Sequence, residues 1–119
     1  MKNIKNQNIE SNQYIQTLID NFPFMVWLKD ADSRILVANT AYANMVGVAS
    51  SAELIGKTDF DFFPPDLAQE YVDGDQKAMR STAPSAVTVP IKNAEGEYYW
   101  IESYKSAVVV DDKVVGSLG

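Results

Sequence analysis

The chain contains no cysteine and no histidine. Without cysteine there is no disulfide framework, no thiol nucleophile and no thiolate metal site. Without histidine the commonest general base, the commonest metal ligand and the usual proximal haem ligand are missing together. Positive charge is also scarce: 10 Lys and Arg stand against 16 Asp and Glu, giving a net charge of −6 and a pI near 4.4. Phosphate binding needs a basic face, so neither nucleic acid nor an anionic membrane is expected as partner. The acidity reads as a solubility feature. No apolar run approaches the roughly 18 to 20 residues that span a bilayer, so this segment is not expected to insert into a membrane. The start, MKNIKNQNIESNQ, is polar and lacks the apolar centre of a secretory signal, which points to the cytoplasm. There is no glycine-rich phosphate loop, internal repeat or low-complexity segment.

What is present is one domain's worth of chain. The 119 residues suffice for a single core, and 46% hydrophobic with 22% charged residues is the balance of a soluble globular fold. After a polar stretch over residues 1–10, expected to fray, Ile15, Leu18, Ile19 and Phe22 follow helical spacing. Pro23 ends that helix by restricting Phe22. The stripe has two readings, packing on its own domain or pairing with a second copy.

FMVWLKD (24–30) alternates as a strand, with Phe24, Val26 and Leu28 on one face and Met25, Trp27 and Lys29 on the other. Asp30-Ala31-Asp32-Ser33 is turn chemistry and RILVA (34–38) returns, making a hairpin. Asn39 or Thr40 caps a short helix that Gly47 closes, and Ser50 with Glu53 is a capping box ending at Gly56. GKTDFDFFPPDLAQEY (56–71) crowds three Phe, two Pro and three Asp into tight helical pieces, and Pro65 opens a longer helix. Gly74 within it signals a bend or a close contact. Residues 85–92 alternate as a strand that Pro90 restricts to an edge or a bulge. Residues 93–96 turn, 97–110 form a long strand, Asp111-Asp112 turn again, and 113–118 begin a last strand. The order of helix, two strands, several helices and three strands is an α+β domain with a five-stranded antiparallel sheet.

In this order VWLKDADSRILVAN, LIGKTDFDFFPPDLAQEYVDGDQKAM and VTVPIKNAEGEYYWIESYKSAVVVDDKVVGSLG resemble a PAS domain, as found in bacterial sensor kinases of two-component systems and in diguanylate cyclases. The resemblance runs from about Ile15 to Gly119, the GKTDFDFF segment being its most specific part. It implies an N-terminal flanking helix over 1–22 and a PAS core over 23–119, with helices across one sheet face and a ligand cavity between them. It implies a sensory or dimerisation module, not an enzyme, that works through flanking helices and an output domain C-terminal to it.

Departures from the family pattern are informative. Light-sensing members carry a cysteine where this chain has Asp59, which removes cysteinyl-flavin photochemistry. Haem held through an axial histidine is removed by the lack of any histidine. Ser81-Thr82-Ala83-Pro84 stands where the family often has a glycine.

On this resemblance the cavity is expected to be lined by Val26, Leu28, Val37, Met45, Val89, Ile101, Ser103 and Leu118, with Asp59 near its entrance. A homodimer is expected through Ile15, Leu18, Ile19 and Phe22. No catalytic or metal site is expected. Asp59 and Asp61, two apart, do not face each other on a helix, and Asp61 reads as a cap partner of Thr58. Asp30 with Asp32, and Asp73 with Asp75, lack the ligand spacing of a calcium loop and read as turn and surface residues. Trp27, Tyr98, Tyr99, Trp100 and Tyr104 read as core and cross-strand aromatics. Ser103, a hydroxyl among apolar neighbours, needs a partner: backbone or ligand. The expected function is the binding of an unknown small molecule in the cavity, with a ligand-free interaction module as the alternative.

Overall fold

The computed structural model describes residues 4–81 and 83–119. Three α-helices, α1 (Ile4–Asp20), α2 (Thr40–Val46) and α3 (Pro65–Arg80), accompany five strands: β1 (Trp27–Asp30), β2 (Ile35–Ala38), β3 (Ser85–Lys92), β4 (Tyr98–Val110) and β5 (Lys113–Leu118). Short 3-10 helices occupy Ser51–Leu54 and Asp59–Asp61. The strands form one antiparallel sheet in the order β2-β1-β5-β4-β3. The α+β class and the five-stranded sheet are therefore as read from the sequence. Helix α1 begins seven residues before Ser11, because its polar first half contains no breaker; the fraying expected over residues 1–10 falls, for residues 1–3, outside the described residues. Thr82, in the link between α3 and β3, is also outside them.

The local signals act as their chemistry dictates. Asp30 Oδ1 accepts the backbone N–H groups of Asp32 and Arg34, closing the β1–β2 turn, with Ser33 in the left-handed region at φ 61°. Asn39 caps α2 and Gly47 ends it at φ 83°. The Ser50–Glu53 box forms, and Asp61 accepts the Thr58 N–H at 2.9 Å. Pro65 occupies the first turn of α3. Pro90 lies on β3, the sheet edge, in unbroken register with β4; the edge explanation holds and no bulge is needed. Asp111 and Asp112, at φ 51° and 63°, make the tight turn between β4 and β5.

The helices cover one face of the sheet and divide the apolar core into two clusters. Trp27, Ile35, Ala38, Tyr42, Ala43 and Leu54 fill the β1–β2 end. Phe63, Leu67, Ala68, Tyr71 and Ile91 fill the β3–β4 end. Edge-to-face ring pairs occur in each, Trp27 with Tyr42 and Phe63 with Tyr71.

Candidate ligand-binding site

Between the two clusters the core is ionic. Alternation along β1 turns Trp27 and Lys29 inward, and alternation along β4 turns Ser103 and Lys105 inward. The Lys29 ammonium donates to Asp59 Oδ2 at 2.8 Å and to Asp75 Oδ2 at 2.9 Å. The Lys105 ammonium donates to Asp75 Oδ1 at 2.8 Å and to the Tyr71 carbonyl at 3.1 Å. Ser33 Oγ donates to Asp75 Oδ2, and the Tyr42 hydroxyl donates to Asp59 Oδ1 at 3.2 Å. Lys29 is 2% exposed, Asp59 2% and Asp75 not at all. Both cations come from the sheet and both anions from the helical layer, so the pairs tie the layers together and their charges cancel. Burial of charge is tolerable only when it is paired and hydrogen-bonded in this way.

Gly74 is the close contact that the sequence signalled. A Cβ there would stand 3.0 Å from the Lys105 ammonium, so the missing side chain gives Lys105 its passage along α3. Burial and the neighbouring Asp59 carboxylate push the Tyr42 phenol well above its ordinary pKa. Tyr71 is raised for the same two reasons, burial first, and its hydroxyl donates to the Pro90 carbonyl at 2.6 Å.

A cavity of about 270 Å3 opens against this network, lined by Met25, Trp27, Lys29, Tyr42, Asp59, Phe63, Tyr71, Gly74, Val89, Ile91, Ile101, Ser103 and Lys105 among others. A second cavity of about 600 Å3 lies beside it, lined by Phe24, Val26, Met45, Ile101, Ser103, Tyr104 and neighbours.

Of the residues expected at the site, Asp59, Val89, Ile101 and Ser103 line the first cavity. Val26 and Met45 line only the second. Leu28, Val37 and Leu118 require correction. They are aligned across β2, β1 and β5 on the outer face of the sheet, opposite the helices, and Leu118 is 42% exposed. Apolar character pointed to the wrong face of β1, because Lys29 is the inward residue. Asp59 is also corrected in depth, standing inside the ionic network and not at an entrance. Asp75, read as a surface residue, is the centre of the network. Within the dimer stripe, Ile15, Leu18 and Phe22 are exposed, but Ile19 is buried on its own domain and is not available to a second copy.

Lys29, Lys105, Asp75 and Tyr42 were missed as site residues. Two of them had a usable signal. Lys105 has the same strand parity as Ile101 and Ser103, and Asp75 is four residues from Tyr71 and three from Ala78 on the buried stripe of α3. Among the described residues, no group of three or more potential metal-ligating side chains occurs.

An antiparallel sheet in the order 2-1-5-4-3, with helices folded over one face and a cavity beneath them, is the arrangement of a PAS-type α+β fold. The sequence matches the PAS fold over residues 19–119, and the chain belongs to the PAS family, a class of sensory modules and not of enzymes. No curated protein matches the chain. Among solved structures it is similar to the VqmA dimer of Vibrio cholerae, described in the absence of its target DNA, at 23% identity and TM-score 0.78, covering 89% of this chain and 49% of that one. It is similar to the PAS domain of Bordetella pertussis BvgS at 18% identity and TM-score 0.70, covering 92% and 82%. It is similar to the PAS domain of a LuxR-family transcriptional regulator of Burkholderia thailandensis in complex with ethanol, at 19% identity and TM-score 0.61, covering 86% and 90%. The chain spans about half the length of the VqmA chains it matches. The expectation that nucleic acid is not a partner is not borne out by the comparisons, since VqmA is also described in complex with DNA. No described helix is long and apolar enough to cross a membrane.

Proposed function

We propose that this chain is the sensory module of a larger bacterial signalling protein and that it binds a small molecule between the sheet and the helices. The observation that carries this reading is the 270 Å3 cavity, apolar over most of its wall and ending on a paired ionic network. Ligand sites combine such apolar walls with a few placed polar groups. The ethanol complex of a similar PAS domain supports occupancy by a small neutral molecule.

The response is a population shift: ligand favours one packing of helices on sheet, and α1 follows. Its attachment supports this role. Asn39, fully buried, donates to the carbonyls of Ile19 and Phe24 and accepts from the N–H groups of Val26 and Tyr42. It therefore joins the end of α1, the entry to β1 and the start of α2, whose Tyr42 reaches Asp59. The parent protein is cytoplasmic at this segment and carries its output, whether kinase, diguanylate cyclase or LuxR-type regulator, beyond the PAS core.

Native mass spectrometry and a thermal-shift screen over a metabolite panel test the reading. A retained mass or a stabilising compound is expected; a clean apo mass with no shift across the panel would sink it. The alternative, a dimerisation module without ligand, draws on exposed Tyr14, Ile15, Leu18 and Phe22 along α1. Ile15→Asp with Leu18→Asp is expected to convert a dimer into a monomer by light scattering, and an unchanged dimer removes α1 as the interface.

A further inference from the structure

The two cavities share four lining residues, Met25, Trp27, Ile101 and Ser103, which form the wall between them. Among the described residues, two polar atoms in that wall have no partner: the indole Nε1 of Trp27 and the hydroxyl of Ser103. Both residues are buried, at 9% and 5% exposure. An indole N–H donates only, whereas a hydroxyl donates and accepts. Buried polar groups in native proteins are almost always satisfied, so two orphans in one wall mark a position for a polar atom of water or ligand.

The charges restrict what that ligand is. Lys29 and Lys105 are already paired with Asp59 and Asp75, so an ionised ligand finds no free counter-charge among the described residues of the core. Glu70 and Glu102, the remaining charged residues lining the two cavities, are exposed at their rims, where they repel anions. Ionised groups entering such a space lose hydration without repayment.

We propose that this wall is the recognition point for an uncharged ligand with a compact apolar body and one hydroxyl or carbonyl oxygen. The oxygen accepts the Trp27 N–H and accepts the Ser103 O–H, and a ligand hydroxyl can instead donate to Ser103. Met25, unbranched and only partly buried, is the wall residue that yields to admit it. The inference rests on the ligand-binding reading above.

Four probes of similar shape test it by calorimetry on the 119-residue chain: benzyl alcohol, toluene, benzoate and benzylammonium. Benzyl alcohol is expected to bind more tightly than toluene and than either ion. Ser103→Ala and Trp27→Phe should each weaken benzyl alcohol by about 3- to 10-fold, the worth of one hydrogen bond, and leave toluene unchanged. Ser103→Ala removes an unsatisfied hydroxyl and should fold at least as stably as the parent, which protects the test if Trp27→Phe is poorly folded. Equal binding of benzyl alcohol and toluene, an ion as the tightest probe, or an unaffected Ser103→Ala variant overturns the inference while leaving a ligand cavity in place. Failure of all four probes to bind overturns both.

Discussion

On the inner face of the sheet, β1 and β4 present Lys29, Ser103 and Lys105; on the outer face the same strands present Leu28, Trp100 and Tyr104. Trp100 is 75% exposed, while Lys29 is 2% exposed. Hydrophobicity alone assigns these faces the other way round. The difference teaches that the inner face carries buried charge within its packing, with the charges satisfied by Asp59 and Asp75. The outer face is apolar and unpartnered in the single chain.

The largest effect is expected from breaking the inner face at its centre. Asp75→Ala leaves the ammoniums of both Lys29 and Lys105 buried without their shared anion. Unpairing a buried charge in this way costs about 3–5 kcal/mol, measurable by urea denaturation. Replacing the set together, Lys29→Met, Asp59→Leu, Asp75→Leu and Lys105→Met, is expected to be far less damaging, because an apolar exchange removes the desolvation cost as well. Equal losses in the two variants would show that the pairs stabilise the fold beyond cancelling their own burial.

A second break acts through the backbone that sets Lys29 in place. Gly116 pairs with Asp30 on β1, and a Cβ at 116 would overlap the Lys29 carbonyl oxygen. Gly116→Ala forces β1 and β5 apart and should cost about 1–3 kcal/mol, as overpacking does. Loss of amide exchange protection in β1 and β5, with β3 unaffected, is the expected pattern; a uniform loss would place the strain elsewhere.

Lys29 also shows how far the sequence could be read. The strand and helix order was legible because turns and caps carry local chemistry: Asp30 bonds its own loop, Asn39 caps α2, and Pro65 opens α3. The site was half legible. On β4 parity set Ile101 and Ser103 on one face, and the resemblance to the family, not apolarity, turned that face inward, as the structure has it. Parity on β1 gave two faces of similar apolarity, and the choice between them turned on Lys29. A lysine reads as solvent-facing unless its partners are known, and Asp59 and Asp75 lie 30 and 46 residues away along the chain. Leu28, Val37 and Leu118 were carried to the wrong face by that one choice.

Tyr42 sharpens the comparison at a smaller scale. Its hydroxyl donates to Asp59 and its folded pKa lies well above the ordinary value of 10.0. The unfolded chain therefore releases this proton first, and stability is constant below pH 10 and falls as pH rises beyond it. Tyr71, also raised, adds to the same alkaline loss. Tyr42→Phe should shrink the alkaline slope and, at neutral pH, cost about 1–2 kcal/mol for the lost bond to a charged acceptor. An unchanged slope in the Tyr42→Phe protein would mean that its phenol ionises freely in the folded state.

The smallest effect on stability is expected on the outer face. Trp100 packs little of its ring, so Trp100→Thr should change the unfolding free energy by no more than about 0.5 kcal/mol, as surface substitutions do. Its consequence should instead appear in association. If the outer face meets a second copy or an output domain, Trp100→Thr weakens self-association by sedimentation without moving the probe affinities of the inner cavity. If the two faces are coupled instead, so that Trp100→Thr alters benzyl alcohol binding, the division between a recognition face and a contact face fails. Separate responses would keep the buried charges and the exposed aromatics as two devices on one sheet.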